Sequence, residues 1–246
     1  TMRGLGKGFC DARTVKRLER RQTCPQRAVV RELFIRLGLS KEYIKTRVVT
    51  EKQDAKTLIE EINNDINSLN WEEAEKKIPT IRKLLSLDDK VNLQAVLKME
   101  LNALRGQKKI SAEEYNERLK KALELTIPFR TFLKEGRKYL THMELLCIQN
   151  MMQYMDKKSE EYQLCLTRME EYFQFYIDRN LQETVSGLFG TIMGYVASER
   201  ANQGELERAD KYNDLIIEGC LRYRRLLVLP SALYDRQWNY TAKREQ

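Results

Sequence analysis

Residues 204–209 read Gly-Glu-Leu-Glu-Arg-Ala, and residues 69–74 read Leu-Asn-Trp-Glu-Glu-Ala. Both place Leu or an aromatic residue third and Ala sixth. Weaker copies begin at Ser111 (SAEEYNERLKKALEL) and Ser159 (SEEYQLCLTRMEEYF), each opening on a good N-cap. Ser111 also has Glu114 at capping-box spacing. The copies start near Trp71, Ser111, Ser159 and Glu205, so they recur at intervals of 40, 48 and 46 residues. The surroundings are helical in character. The 246 residues include only four Pro and eleven Gly, and Leu, Glu, Lys, Arg, Ala and Gln dominate while β-branched runs are rare. The chain is therefore expected to be all-α.

The pattern G-x-(aromatic or Leu)-x-x-A resembles the turn of a tetratricopeptide repeat, which joins two antiparallel helices. The resemblance implies that residues 51–246 form an α-solenoid of helix pairs, which must stack because no pair buries its faces alone. The intervals exceed the family's repeat of about 34 residues, so the helices are long. First helices are predicted at 52–68, 89–105, 136–155 and 181–202, and Pro230 opens a last helix through Tyr234, Trp238 and Tyr240. A groove lined by the first helices is where a ligand would sit. With the Ala of each turn at its family position, the first pair directs Lys56, Asn63 and Asn67 into the groove. The fourth directs Thr191, Ser198 and Asn202, and the middle pairs Asn102, Asn150 and Gln153. Asn donates and accepts, so it can grip a peptide backbone without reading its sequence. The competing reading is plain solvation of a helix surface. Tyr172, Phe173, Phe175 and Tyr176 read as core.

Charge divides the chain unevenly. Residues 1–52 hold 14 Lys and Arg against 5 Asp and Glu, a net of +9, whereas residues 53–246 hold 30 against 31. Charge segregated in this way argues for a polyanionic partner of the first segment. Its densest part is RTVKRLERR, residues 13–21, five of whose nine residues are cationic. Asp11 is placed to cap a helix from about Ala12 to Arg20, with Val15 and Leu18 three apart on one face. Thr1 caps a short helix before it, and Gly8-Phe9-Cys10 is the spacer. A third helix follows Pro25, with Val29, Val30, Leu33, Phe34 and Leu37 as its stripe and Gly38 as its stop. Ser40 caps a fourth, to about Val49.

The stretch GLGKGFCDARTVKRLERRQTCPQRAVVRELFIRLGLS resembles the second half of an Xre-type, phage-repressor-like helix-turn-helix domain. Leu5, Gly8, Asp11, Thr14, Arg17, Leu18, Glu19, Pro25 and the Leu37–Ser40 ending carry the likeness. The resemblance makes residues 1–50 a DNA-binding head and Ala12–Arg20 its recognition helix. Arg13 and Lys16 become base contacts, since Arg pairs bidentately with guanine. Thr14 reaches a base or a phosphate. Arg17, Arg20 and Arg21 become phosphate contacts, which hold register. The head departs from the family: its first helix is missing, Gly4 and Gly6 weaken the helix that remains, and Arg21 stands where Gly is usual.

Other function classes find little support. Five Cys without C-x-x-C spacing and a lone His142 give neither a disulfide framework nor a zinc site. There is no P-loop, no dinucleotide-binding glycine pattern and no G-x-S-x-G, so neither an enzyme nor a cofactor is expected. No apolar run approaches the roughly 20 residues of a membrane span, and a cytoplasmic protein is expected. A basic Xre-like head before a tetratricopeptide-like body resembles the peptide-sensing, quorum-sensing transcription regulators of Gram-positive bacteria. That resemblance implies a homodimer on double-stranded operator DNA, switched by a short signalling peptide. The alternative is a helical-repeat adaptor that binds a partner protein and no DNA.

Overall fold

A computed structural model of the chain describes residues 4, 6–8, 10–19, 33, 48, 50, 52–136, 140–178, 182–224 and 226–245. Among these there are eleven α-helices and no strand. The helices are α1 (Ala12–Glu19), α2 (Gln53–Asn67), α3 (Trp71–Leu84), α4 (Lys90–Gly106), α5 (Ala112–Glu124) and α6 (Phe129–Glu135). They continue as α7 (His142–Met152), α8 (Glu160–Ile177), α9 (Gln182–Asn202), α10 (Leu206–Tyr223) and α11 (Leu229–Glu245). A 3-10 turn, Leu226–Val228, precedes the last. The third and fourth helices of the head, expected after Pro25 and Ser40, fall almost wholly outside the described residues.

Three helix ends are built alike, and they are the turns that make the pairs. After α2, the Asn70 amide bonds back to the Asp65 carbonyl (2.8 Å) and the Leu69 amide to Ile66 (3.2 Å). After α4, Lys109 reaches Leu104 (2.9 Å) and Lys108 reaches Arg105 (3.0 Å). After α9, Glu205 reaches Arg200 and Gly204 reaches Ala201, both at 2.9 Å. Each is a Schellman closure, which satisfies the last carbonyls of the helix and needs a left-handed residue. Leu69, Lys108 and Gly204 hold those positions, with φ of 63°, 58° and 83°. The Ala that ends each full copy of the turn motif, Ala74 and Ala209, is completely buried.

The helices gather into two compact units, one ending at Asp156 and the other comprising 135–138 and 157–246. In the first, α2 packs on α3 and α4, α3 on α4, α4 on α5, and α5 and α4 on α7. Its core is Ile59, Ile62, Ile78, Ile81, Val96, Met99, Leu119, Leu123, Phe129 and Phe132. Each such side chain contributes about 1.5–3 kcal/mol by leaving water. The Trp71 ring lies on Gly106 so closely that no methyl group fits between. In the second unit, α8 packs on α9, α9 on α10, and α10 on α11. Tyr162, Leu166, Met169, Tyr172, Phe173, Tyr176, Ile192 and Val196 fill it, so the aromatic run read as core is core at these positions.

One carboxylate fastens three helices of the second unit. Glu170 on α8 accepts from Arg200 on α9 (2.9 and 2.5 Å), and from Arg208 (2.9 Å) and Tyr212 (3.0 Å) on α10. Glu170 and Arg200 are both buried. At the outer edge, Asp210 of α10 accepts from Asn239 (2.9 Å) and Lys243 (2.8 Å) of α11 and pairs with Arg236 (2.7 Å). Arg224 ends α10 in the left-handed region, with φ 52° and ψ 40°.

Helix starts follow the sequence at Trp71, Ala112, Glu160 and Leu206, each within a residue of expectation. The first helix expected over 136–155 is α7, which starts only at His142, and α6 precedes it. Gly136, at φ 65°, breaks the run. Thr141 restarts it with a full capping box, its hydroxyl taking the Glu144 amide (3.1 Å) and the Glu144 carboxylate taking the Thr141 amide (2.6 Å). At Ser111 the hydroxyl takes the Glu114 amide at 3.1 Å, as the spacing predicts.

Candidate functional site

In the first unit the two groove residues from different helices meet. Asn102 of α4 accepts from the Tyr115 hydroxyl of α5 (2.7 Å) and from Asn150 Nδ2 of α7 (3.4 Å). Asn150 Nδ2 also donates to the Tyr115 oxygen at 3.1 Å. Tyr115 stands four residues after its helix cap, where the turn motif has Ala. Its ring is buried and its hydroxyl reaches the two amides. Burial pushes its phenol far above the ordinary range, so it stays a neutral donor. Tyr154 packs edge-on against Tyr115 at 5.2 Å, with the Arg105 guanidinium 5.2 Å from the Tyr154 centroid. Asn102 Nδ2 and Asn150 Oδ1 have no partner among the described residues. They offer one donor and one acceptor, the complement of a peptide unit.

The other groove residues of this unit lie apart from that cluster. Asn63 turns its amide onto the Ile59 carbonyl of its own helix (2.6 Å) and towards Met99 Sδ (4.0 Å). That contact consumes its donor and leaves it a structural residue as much as a binding one. Lys56 is half-buried on α2, Asn67 is exposed at the end of α2, and Gln153 is exposed just past α7.

In the second unit, Ser198 and Asn202 of α9 line a cavity of about 190 Å³. Its other walls are Ala197, Ala201, Asn213, Tyr234, Asp235, Trp238 and Asn239, from α9, α10 and α11. Ser198 donates to Asp235 at 3.0 Å. Thr191 is exposed on α9. Sequence reasoning missed Tyr115, Asp235, Asn213 and Asn239. Of these, Asn213 had a signal: it continues the buried stripe of Ala209, Ile216 and Cys220. A polar residue there marks either a core bond or a site.

The head is described through α1. Asp11 caps it, taking the Thr14 amide at 2.5 Å, and that bond holds its carboxyl below the usual range. Val15 is buried while Arg13, Lys16 and Arg17 are exposed and Thr14 is half-buried. Positions 13, 16 and 17 fall on one side of a 3.6-residue helix, opposite Val15. α1 thus has an apolar edge and a cationic one. Arg20 and Arg21 lie outside the described residues.

Among the described residues, no group of three or more His, Cys, Asp and Glu is placed to hold a metal ion. Burial pushes the Cys147 thiol up to about 12, which keeps it protonated and unreactive. No described helix is long and apolar enough to cross a membrane.

No family model matches the chain, and no curated protein matches it. Among solved structures it is similar to a crystal structure of Bacillus thuringiensis PlcR in complex with the peptide PapR7 and DNA. The TM-score is 0.60 at 13% identity, over 99% of this chain and 82% of that one. At this identity the likeness is one of fold. The fold class read from the sequence, a helix-turn-helix head followed by tetratricopeptide-like helix pairs, is the one found.

Proposed function

We propose that this chain is a DNA-binding transcriptional regulator whose helical-repeat domain binds a short peptide and mediates dimerisation. Residues 1–50 are the head and 51–246 the repeat domain. The single observation that carries the reading is the fold likeness, spanning 99% of the chain, to a protein crystallised with both a peptide and DNA. The +9 charge of residues 1–52 and the cationic edge of α1 support the DNA half. Arg13 and Lys16 address bases, Thr14 a base or phosphate, and Arg17, Arg20 and Arg21 phosphates. The half-satisfied Asn102–Tyr115–Asn150 cluster and the Ser198–Asn202 cavity support the peptide half, with Lys56, Asn63, Asn67 and Gln153 as flanking groups.

The protein is a cytoplasmic homodimer that acts by binding, without catalysis or cofactor. Of the nine exposed large apolar residues among those described, seven fall between Leu221 and Tyr240, which favours a contact between copies at that end. Peptide binding shifts the population between two shapes of the dimer, and half-sites about 34 Å apart make head spacing decisive.

The test is fluorescence anisotropy of the full chain against DNA from upstream of its own gene, across a salt series, beside a variant lacking residues 1–52. Specific binding that weakens steeply with salt and disappears in the truncation supports the regulator. No specific binding at low salt from the folded chain would sink it and leave the partner-protein adaptor.

A further inference from the structure

The cavity between α9, α10 and α11 is built for more than solvation. Asn213 is 1% exposed, and neither its amide nitrogen nor its oxygen has a hydrogen-bond partner among the described residues. Asn239 is equally buried; its nitrogen is held by Asp210, and its oxygen has no partner. An unmet polar group at such depth costs about 1–3 kcal/mol, so three unmet atoms on two residues that wall one cavity need an explanation. Asp235 adds a carboxylate that only Ser198 is seen to bond. Among the described residues, no Lys, Arg or His lines the cavity. The rings of Tyr234 and Trp238, both more than half exposed or close to it, complete the wall.

The buried or charged part of this inventory is one carboxylate, two free amide oxygens and one free amide NH₂, beside two aromatic rings and the exposed amide of Asn202. The acceptors and the uncompensated carboxylate call for a cation with several N–H groups. The free NH₂ of Asn213 calls for a carbonyl close beside that cation. The N-terminal residue of a peptide carries both, an α-ammonium followed by its first carbonyl, while its side chain can lie on the rings. The volume agrees with one end of a ligand. At about 190 Å³ the cavity is below the roughly 300–1,000 Å³ of sites that take a whole small molecule.

We infer that this cavity is the anchor for the free amino terminus of the peptide, with Asp235, Asn213 and Asn239 as its specificity-determining residues. The inference rests on the peptide-binding reading above and fixes the polarity of the bound peptide.

Two probes test it on the full chain. The first is a randomised synthetic heptapeptide library, offered with free and with N-acetylated termini and scored by affinity selection and mass spectrometry. The second is L-leucinamide against N-acetyl-L-leucinamide, read by the fluorescence of Trp238. Acetylation is expected to weaken binding about tenfold or more in both. Asp235→Asn, nearly isosteric and half-exposed, is expected to erase the discrimination, as is Asn213→Leu, with circular dichroism confirming that each is folded. Retention of free and acetylated peptides alike overturns the anchor and leaves peptide binding intact. Discrimination between the two leucinamides with no library binding overturns peptide binding and leaves an ammonium site. Neither probe binding in either form overturns both.

Discussion

Leu69 occupies the place that Gly204 occupies in the fourth pair. It holds the same left-handed backbone, φ 63° against 83°. That conformation costs a residue with a β-carbon about 1–2 kcal/mol, and a side chain 68% exposed recovers little by packing. Leu69→Gly is therefore expected to stabilise the chain by about 0.5–1 kcal/mol, after the entropy that glycine loses on folding. A rise in the urea midpoint at unchanged slope checks it; a fall would mean that the Leu69 side chain holds the turn. Arg200 presents the opposite case. Arg200→Met leaves buried Glu170 with Arg208 and Tyr212 alone, and a loss of about 3 kcal/mol is expected. The double variant with Glu170→Met is expected to recover most of it, since an apolar pair replaces a desolvated one. Melts of the two variants side by side decide the matter. The turn pair was readable because its signal is local, six letters at a stretch. Glu170 was not, because its partners stand 30, 38 and 42 residues away and its own letter sits unremarked among aromatic ones.

At the scale of elements, α11 is joined to α10 by charge. Burial pushes the Asp210 carboxyl up, but the hydrogen bonds from Lys243 and Asn239 and the charge of Arg236 outweigh it, and the group lies below the usual range. A lowered carboxylate contributes fully above its unfolded value, near 3.9. That contribution is lost as pH falls from there through the folded value. Acidification below about pH 4 is thus expected to loosen α11, followed by Trp238 fluorescence. Asp210→Asn should flatten that part of the curve; an unaltered curve would remove Asp210 from the account. At α7, Thr141→Ala is expected to cost about 1 kcal/mol by removing the hydroxyl that takes the Glu144 amide, while the backbone amide at 141 keeps its bond to the Glu144 carboxylate. That box and the left-handed Gly136 were legible as a helix stop and a helix start. The sequence reading started its helix at 136 and ran it across the box, because apolar letters continue through Tyr139 and Leu140. Hydrophobic period alone cannot tell one long helix from two in line.

For the molecule as a whole, charge does the discriminating. Arg17→Ala is expected to weaken DNA binding about equally for all sequences and to lower the salt slope by about one. Arg13→Ala is expected to cost about 1–3 kcal/mol on the preferred site and little on others. Anisotropy on matched and scrambled duplexes separates the two roles. The uneven charge that motivates both was plain in the sequence, as was the stacking of helix pairs. The candidate site was legible only in part. The sequence marked the amides of Asn102, Asn150 and Asn202 and the hydroxyl of Ser198. It could not supply the residues from second helices and from α11 that complete each cluster, because those meet only in three dimensions.

The left-handed residue at the end of α10 has a practical consequence. Arg224 is exposed, and an exposed arginine in a tight link is a natural entry point for trypsin. A cut there divides the cavity walls between two fragments, Ser198 and Asn213 on one and Asp235, Trp238 and Asn239 on the other. The fragments remain clasped through Asp210. An occupant gripping both sides lowers the fraction of molecules open to cleavage by mass action. The rate of nicking then becomes a gauge of occupancy, readable on a gel without any label and without knowing what fills the space.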